Sequence, residues 1–165
     1  MSLLKLLAEN FIDQPYMYHF THVDNIDSIL KEGLLVGHHK NNTAYKDKCE
    51  GISLTVKKHT NDVNLAHHLF EEYENSYLDD GTLDYPVIAR IIIKSSELDE
   101  RFIKADDDYK QLKKDDDPYE SFIMGSICYV NDIKPSDIVK VEVEIDRHVY
   151  EEVKNEREID KVFYK

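Results

Sequence analysis

The chain has 165 residues, of which 41% are hydrophobic and 33% are charged, and its formal net charge is −13. This length and apolar content predict a single domain over residues 1–165 with a substantial hydrophobic core. The excess of acid disfavours nucleic acid as a partner, because affinity for phosphate backbones comes largely from Lys and Arg.

The location of the protein is predicted from its cysteines and its apolar segments. Cys49 and Cys128 are the only cysteines, which favours reduced thiols over a disulfide framework. Residues 1–10 are too short and too acidic at their end for a signal peptide, and no apolar stretch approaches the ~20 residues that span a membrane. We therefore expect a cytoplasmic protein without a membrane partner.

The first half of the chain alternates helical and extended patterns. Apolar residues at helical spacing predict a short helix over residues 3–12, and a strand follows over 16–20. Asp24 is a plausible N-cap for the next helix, which ends at Gly33. Residues 36–50 are polar and are predicted to form a loop.

The middle of the chain contains two further strands around a helix. Residues 51–56 are predicted to form a strand, and a helix is expected from Asn61 or Asp62 to about residue 78. A β-branched run over 87–93 is typical of a central, doubly covered strand.

Residues 99–165 begin with an acidic segment, and patterns typical of strands follow it. We interpret residues 99–118 as a solvated excursion, because their acids lack the spacing of a calcium loop. Strands are predicted over 121–130 and 139–145, with a turn over 133–138 between them. Residues 146–165 are expected to add an edge strand or a frayed tail.

His19 and Thr21 are the strongest candidates for binding a ligand. They lie two apart on the first strand, so their side chains share a face. An imidazole and a hydroxyl placed there would hold a diol or an amide by directed hydrogen bonds. The following helix would present its amino-terminal N–H groups to an anionic ligand.

The run from Tyr18 to Leu35 resembles the first motif of the ADP-ribosyltransferases, most closely that of the DarT-type toxins. Its features are a strand with His-x-Thr, a turn with Asn, and a helix closing in Gly-Leu. Residues 51–55, followed by a helix containing Ala66, are similar to the second strand and helix of that family. The strand over 87–93 and the Ile-Lys-Pro turn at 133–138 follow the same order.

The resemblance implies a fold, a substrate and a set of binding residues. The fold is α+β of the ADP-ribosyltransferase type, with two small packed β-sheets forming a cleft between flanking helices. The substrate is NAD, which His19, Thr21 and Asn25 would help to hold. Ser53 or Thr55 would line the nicotinamide side, where many relatives carry a Tyr.

The resemblance also implies a catalytic carboxylate. Cleavage of the nicotinamide–ribose bond builds positive charge on the ribose, which a carboxylate would stabilise. The position expected from the family falls near Ser126, and the nearest substitute is Glu120. We therefore predict Glu120 and His19 as catalytic residues of an NAD-dependent ADP-ribosyltransferase. Its acceptor would be a macromolecule, with protein favoured over nucleic acid.

Two alternatives remain open at this stage. The chain is alternatively a catalytically inactive protein of the same fold, which binds a nucleotide or uses its acidic surface to contact another protein. The other alternative is a metal-dependent hydrolase. His67 with Glu71, or His68 with Glu72, lies one helical turn apart, but a third ligand is not evident, so we predict no metal site.

Overall fold

The computed structural model describes residues 15–37, 51–63, 65, 67–105 and 125–165. These residues contain seven strands and three α-helices, and the helices follow the first, second and last strands. In order they are β1 (Tyr16–His22), α1 (Ile26–Glu32), β2 (Ile52–Thr55), α2 (His67–Asn75), β3 (Ile88–Lys94), β4 (Ile103–Ala105), β5 (Ser126–Tyr129), β6 (Ile138–Asp146), β7 (Val149–Val153) and α3 (Ile159–Phe163).

All seven strands belong to one sheet, in the order β4-β5-β2-β1-β3-β6-β7. Each neighbouring pair is antiparallel. The strand predicted over 87–93 is confirmed as β3, and it pairs with β1 on one side and with β6 on the other. Its position explains its composition, because Ile88, Ile91 and Ile93 are fully buried between two covered faces.

The β-ladder between β1 and β2 is much shorter than the β-ladder between β1 and β3. β1 pairs with β3 from Tyr16↔Lys94 to His22↔Ile88, whereas Tyr18↔Thr55 is the pair that joins it to β2. Beyond Tyr18 the backbones of β1 and β2 are therefore no longer in ladder register. This is the part of β1 that carries the His-x-Thr motif.

The two faces of the sheet are covered by different helices. The main core gathers Met17 of β1 and Ile91 of β3 with Ile26 of α1 and Ile159 of α3. A second and smaller core lies around α2, where Leu69 packs with Ile88. Since neighbouring residues of a strand point to opposite faces, α1 and α3 cover one face and α2 covers the other.

The predicted division into two small packed sheets is wrong. β1 hydrogen-bonds to β3 and also to β2, so the strands join into a single seven-stranded antiparallel sheet. Periodicity in the sequence indicates strands but not their partners, and the pairing of β1 with both neighbours decides the architecture.

Several local predictions also need correction. The helix predicted over 61–78 is shorter, because a separate 3₁₀ turn spans Thr60–Asp62 and α2 begins at His67. The excursion predicted over 99–118 contains β4 in its described part. Cys128 is buried and disulfide-bonded, so the expectation of a reduced thiol is wrong for this residue. The helix predicted over 3–12 lies outside the described residues.

The last residues form defined structure rather than a tail. The predicted edge strand is confirmed as β7, which pairs with β6 through a hairpin. Helix α3 follows it and buries Ile159 in the main core. In the part of the chain that the structure describes, no helix has the length and apolar character needed to cross a membrane.

Candidate functional site

His19 bridges the gap that opens between β1 and β2. Its ring nitrogen Nδ1 lies 2.8 Å from the backbone carbonyl oxygen of Ser53. A carbonyl oxygen only accepts, so Nδ1 carries the proton and donates it. This contact fixes the orientation of the imidazole ring of His19 on β1.

Thr21 is held by the turn that follows it. The side-chain amide of Asn25 donates to Oγ1 of Thr21 at 2.9 Å, and the hydroxyl of Ser28 donates to the carbonyl of Asn25 at 3.0 Å. Thr21 lies on the same face of β1 as His19. The structure therefore brings His19, Thr21 and Asn25 together, as the sequence predicted.

The start of α1 differs from the prediction. Asp24 does not cap the helix, because it lies inside a 3₁₀ turn over Val23–Asn25. The backbone N–H of Asp24 instead donates to Nδ1 of His22 at 3.1 Å. Asn25 occupies the N-cap position of α1 without a side-chain cap bond, since its amide is directed to Thr21.

Ser53 meets His19 through its backbone and not through its hydroxyl. Tyr18 and Thr55 are directly opposed across β1 and β2, so their side chains share a face. By alternation the side chain of Ser53 lies on that face too, while the ring of His19 belongs to the other. The predicted lining residues Ser53 and Thr55 are thus separated from His19 and Thr21 by the thickness of the sheet.

Thr55 and Ser126 form a buried pair of hydroxyls. They are opposed across β2 and β5, and the hydroxyl of Ser126 donates to Oγ1 of Thr55 at 3.4 Å. The backbone N–H of Lys57 donates to the same oxygen at 3.1 Å. Glu120, the predicted catalytic carboxylate, lies outside the described residues.

The sequence interpretation missed a contact between β1 and α2. Nε2 of His22 lies 2.9 Å from Oε1 of Glu72, and the side chain of His22 is 18% exposed. Glu72 had been considered only as a partner of His68. The available signal was the third polar residue of the His-Phe-Thr-His run, which falls on the opposite face from His19 and Thr21.

It also missed a buried carboxyl group on β6. Glu144 is 1% exposed, and it accepts hydrogen bonds from Tyr73 of α2, from Tyr77 just beyond the end of that helix, and from Thr60. Burial and the bond to Glu144 raise the pKa of Tyr73 above its ordinary value. The network fastens α2 to the sheet.

A third missed feature is the environment of Arg90. Its guanidinium lies 3.6 Å from the ring centroid of Tyr150, and it forms an ion pair with Glu142, which is itself buried. It also donates to the carbonyl of Lys58 at 2.6 Å. The guanidinium thus fixes the segment before Thr60 against β3 and β6.

The described residues offer no candidate metal site. Among them, no group of three or more His, Cys, Asp and Glu side chains is placed to hold an ion. His67 and Glu71 form a pair at 3.2 Å in which both side chains are more than half exposed. This arrangement is that of a solvated helix face.

Comparison with known proteins adds no relative. No protein-family model, curated protein or solved structure matches the chain. The geometry around His19 and the resemblance of the first motif are therefore the basis for a functional proposal.

Proposed function

We propose that the chain binds NAD at the end of β1 and transfers its ADP-ribose to a macromolecular acceptor. The observation that carries this proposal is the paired anchoring of His19 on the carbonyl of Ser53 and of Thr21 on the amide of Asn25. Both side chains are oriented before a ligand arrives, which reduces the cost of ordering them on binding.

The chemistry of the anchored groups suits a ribose. The imidazole of His19 is oriented by Ser53, and the hydroxyl of Thr21 is oriented by Asn25. An imidazole and a hydroxyl on the same face of a strand are groups that hold a diol or a carboxamide by directed hydrogen bonds. The resemblance of the first motif supplies NAD as the particular substrate.

The acceptor is proposed to be a protein. The net charge of −13 opposes close approach of a phosphate backbone. Glu120 is proposed as the carboxylate that stabilises positive charge on the ribose during cleavage. A cytoplasmic location remains part of the same proposal, and it now rests on the apolar segments of the sequence and not on its cysteines, because Cys128 is disulfide-bonded.

A second candidate function is nucleotide binding without transfer. The observation that favours it is the hydroxyl pair of Ser126 and Thr55, because the resemblance expects a carboxylate near Ser126. In this case the protein acts as a binding or acidic interaction module.

Calorimetric titration with NAD, followed by incubation with labelled NAD and cell lysate, separates these candidates. The transferase predicts saturable binding and a labelled product that Glu120→Gln abolishes while binding persists. Glu97→Gln, which changes an exposed carboxylate, is the matched control and should label normally. Binding without label in the wild type would favour the inert module, and absence of NAD binding would reject both nucleotide functions.

A second comparison tests the site itself. Thr21→Val keeps the shape of the side chain and removes its hydroxyl, so NAD affinity should fall about tenfold. Thr82→Val makes the same change in an exposed turn, where the hydroxyl contacts Asp80, and should leave affinity unchanged. Equal affinity in the two variants would place the ligand elsewhere.

A further inference from the structure

The imidazole of His22 is bound at both of its ring nitrogens. Nδ1 accepts from the backbone N–H of Asp24 at 3.1 Å, so Nδ1 carries no proton. Nε2 therefore carries the proton and donates it to Glu72 at 2.9 Å. The two contacts define a single neutral tautomer of His22.

This imidazole connects α2 to the turn of the candidate site. His22 is the last residue of β1, and the backbone N–H that it binds belongs to the 3₁₀ turn over Val23–Asn25. That turn presents the Asn25 amide to Thr21. The position of the turn is thus coupled to a carboxylate on another element, Glu72.

We propose that His22, oriented by Glu72, is a positioning residue for this turn, and that protonation of His22 releases the turn. Once Nδ1 carries a proton it no longer accepts from the N–H of Asp24. The Asp24 carboxylate, whose Oδ2 lies 3.4 Å from Nδ1, then accepts from the ring instead. The ring of His22 then contacts the side chain of Asp24 and no longer its backbone N–H. The His22 ring therefore no longer fixes the backbone of the turn that orients the Asn25 amide.

Two carboxylates face the ring of His22. Asp24 faces it from its own turn and Glu72 faces it from α2. Its partner across β3 is Ile88, which does not titrate. The proposal deepens the proposed function, on which it rests for the ligand, but the conformational step is independent of any ligand.

The first test therefore uses the full chain without NAD. Nitrogen-15 NMR of the His22 ring reports the tautomer, and hydrogen exchange of the Asp24 amide reports the cap. We expect the Nε2–H tautomer and a protected Asp24 amide while the ring is neutral, with both lost together when His22 is protonated. The Nδ1–H tautomer, or protection of Asp24 that is independent of pH, would overturn the proposal.

The second test measures the consequence for the site. NAD affinity should fall about fivefold once the His22 ring is protonated, as the NMR titration reports, which is the effect of one lost capping bond. His22→Asn retains an acceptor for the Asp24 N–H but does not titrate, so this part of the pH dependence should disappear. An unchanged dependence in His22→Asn would overturn the link between the turn and the ligand.

A matched pair of variants isolates Glu72. Glu72→Gln removes the charge beside His22 and should alter both the ring signals of His22 and the pH profile. Glu71→Gln changes the adjacent residue, which pairs with His67 in solvent, and should leave both unchanged. If the wild type binds no NAD, the proposed function fails, while the NMR measurements still decide whether His22 positions the turn.

Discussion

The hydroxyl of Tyr73 on α2 donates a hydrogen bond to the carboxyl of Glu144 on β6, and both side chains are buried. Thr60 donates to the second carboxyl oxygen at 2.9 Å, and Tyr77 donates to the first at 3.3 Å. Only a small apolar core lies beneath α2. The hydrogen bonds to Glu144 therefore add to the apolar core and to the His22–Glu72 contact in attaching this helix to the sheet.

Glu144→Ala is expected to lower the free energy of unfolding by about 3 kcal/mol. The substitution leaves the hydroxyls of Thr60, Tyr73 and Tyr77 without their shared acceptor and opens a void. Urea denaturation measures the change. Glu152→Ala is the control on the neighbouring strand, where the carboxylate pairs with Lys154 in solvent, and it should have little effect on stability. Similar losses in the two variants would contradict a structural role for Glu144.

The buried tyrosines predict a loss of stability in alkali. Burial is the main cause that raises the pKa of Tyr73, Tyr77 and Tyr150 above the ordinary value. Above about pH 10 the unfolded chain releases phenolic protons that the folded chain retains, so the free energy of unfolding falls as pH rises. The stabilising effect of the neutral phenols is complete below that pH.

The slope of this loss identifies the groups responsible. Each such tyrosine contributes about 1.4 kcal/mol per pH unit between its unfolded and folded pKa values. Tyr73→Phe should therefore reduce the slope by about that amount when denaturation is repeated between about pH 10 and pH 11. Titration by absorbance should show fewer than the 11 tyrosines of the chain ionising before unfolding. Ionisation of all of them in the folded protein would refute the prediction.

Local structure was largely predictable from the sequence, and the arrangement of the strands was not. The helix ending at Gly33 and the strand over 87–93 follow from apolar spacing and turn residues. The single sheet depends on β1 pairing with both β2 and β3, which is a long-range choice without a local signature.

The candidate site shows the same division. Spacing placed His19 and Thr21 on one face of β1, and the structure agrees. Spacing within one strand says nothing about an adjacent strand, so the opposite orientation of Ser53 depends on the register of Tyr18 with Thr55. The contact between His22 and Glu72 spans 50 residues. Glu144 alternates with apolar residues along its strand, a pattern that is also typical of a strand with one solvated face, so its burial has no local signature.

Arg90→Met is expected to lower the free energy of unfolding by about 3 kcal/mol. It leaves the Glu142 carboxylate, which is 4% exposed, with Lys140 at 2.7 Å as its remaining cation, and it removes the guanidinium from the ring of Tyr150. Arg101→Met breaks an ion pair with Asp99 whose arginine is 79% exposed, and it should have little effect on stability. Thermal or urea denaturation of the two variants makes the comparison. Equal effects would show that burial of Glu142 does not determine the contribution of Arg90.

Substitutions at Gly33 and Gly37 distinguish the cost of a positive φ angle from the cost of steric overlap. Both glycines have positive φ angles, of 83° and 82°. A Cβ at Gly33 would lie 2.0 Å from the carbonyl oxygen of Ile133, whereas a Cβ at Gly37 would meet nothing within 4 Å. That carbonyl accepts from the backbone N–H of Leu34 at 2.9 Å, so it cannot retreat without breaking the bond.

Alanine at these two positions should therefore have unequal effects on stability. Gly37→Ala carries the conformational cost alone, about 1 kcal/mol. Gly33→Ala adds displacement of the Ile133 backbone and should cost at least about 3 kcal/mol in urea denaturation. Since Gly33 also ends the helix that begins at the candidate site, hydrogen exchange in Gly33→Ala should rise at Leu34 and Ile133, whose N–H groups form the bridge between these two segments. Equal stabilities of the two variants would show that the bridge yields without cost and that only the φ angle matters at Gly33.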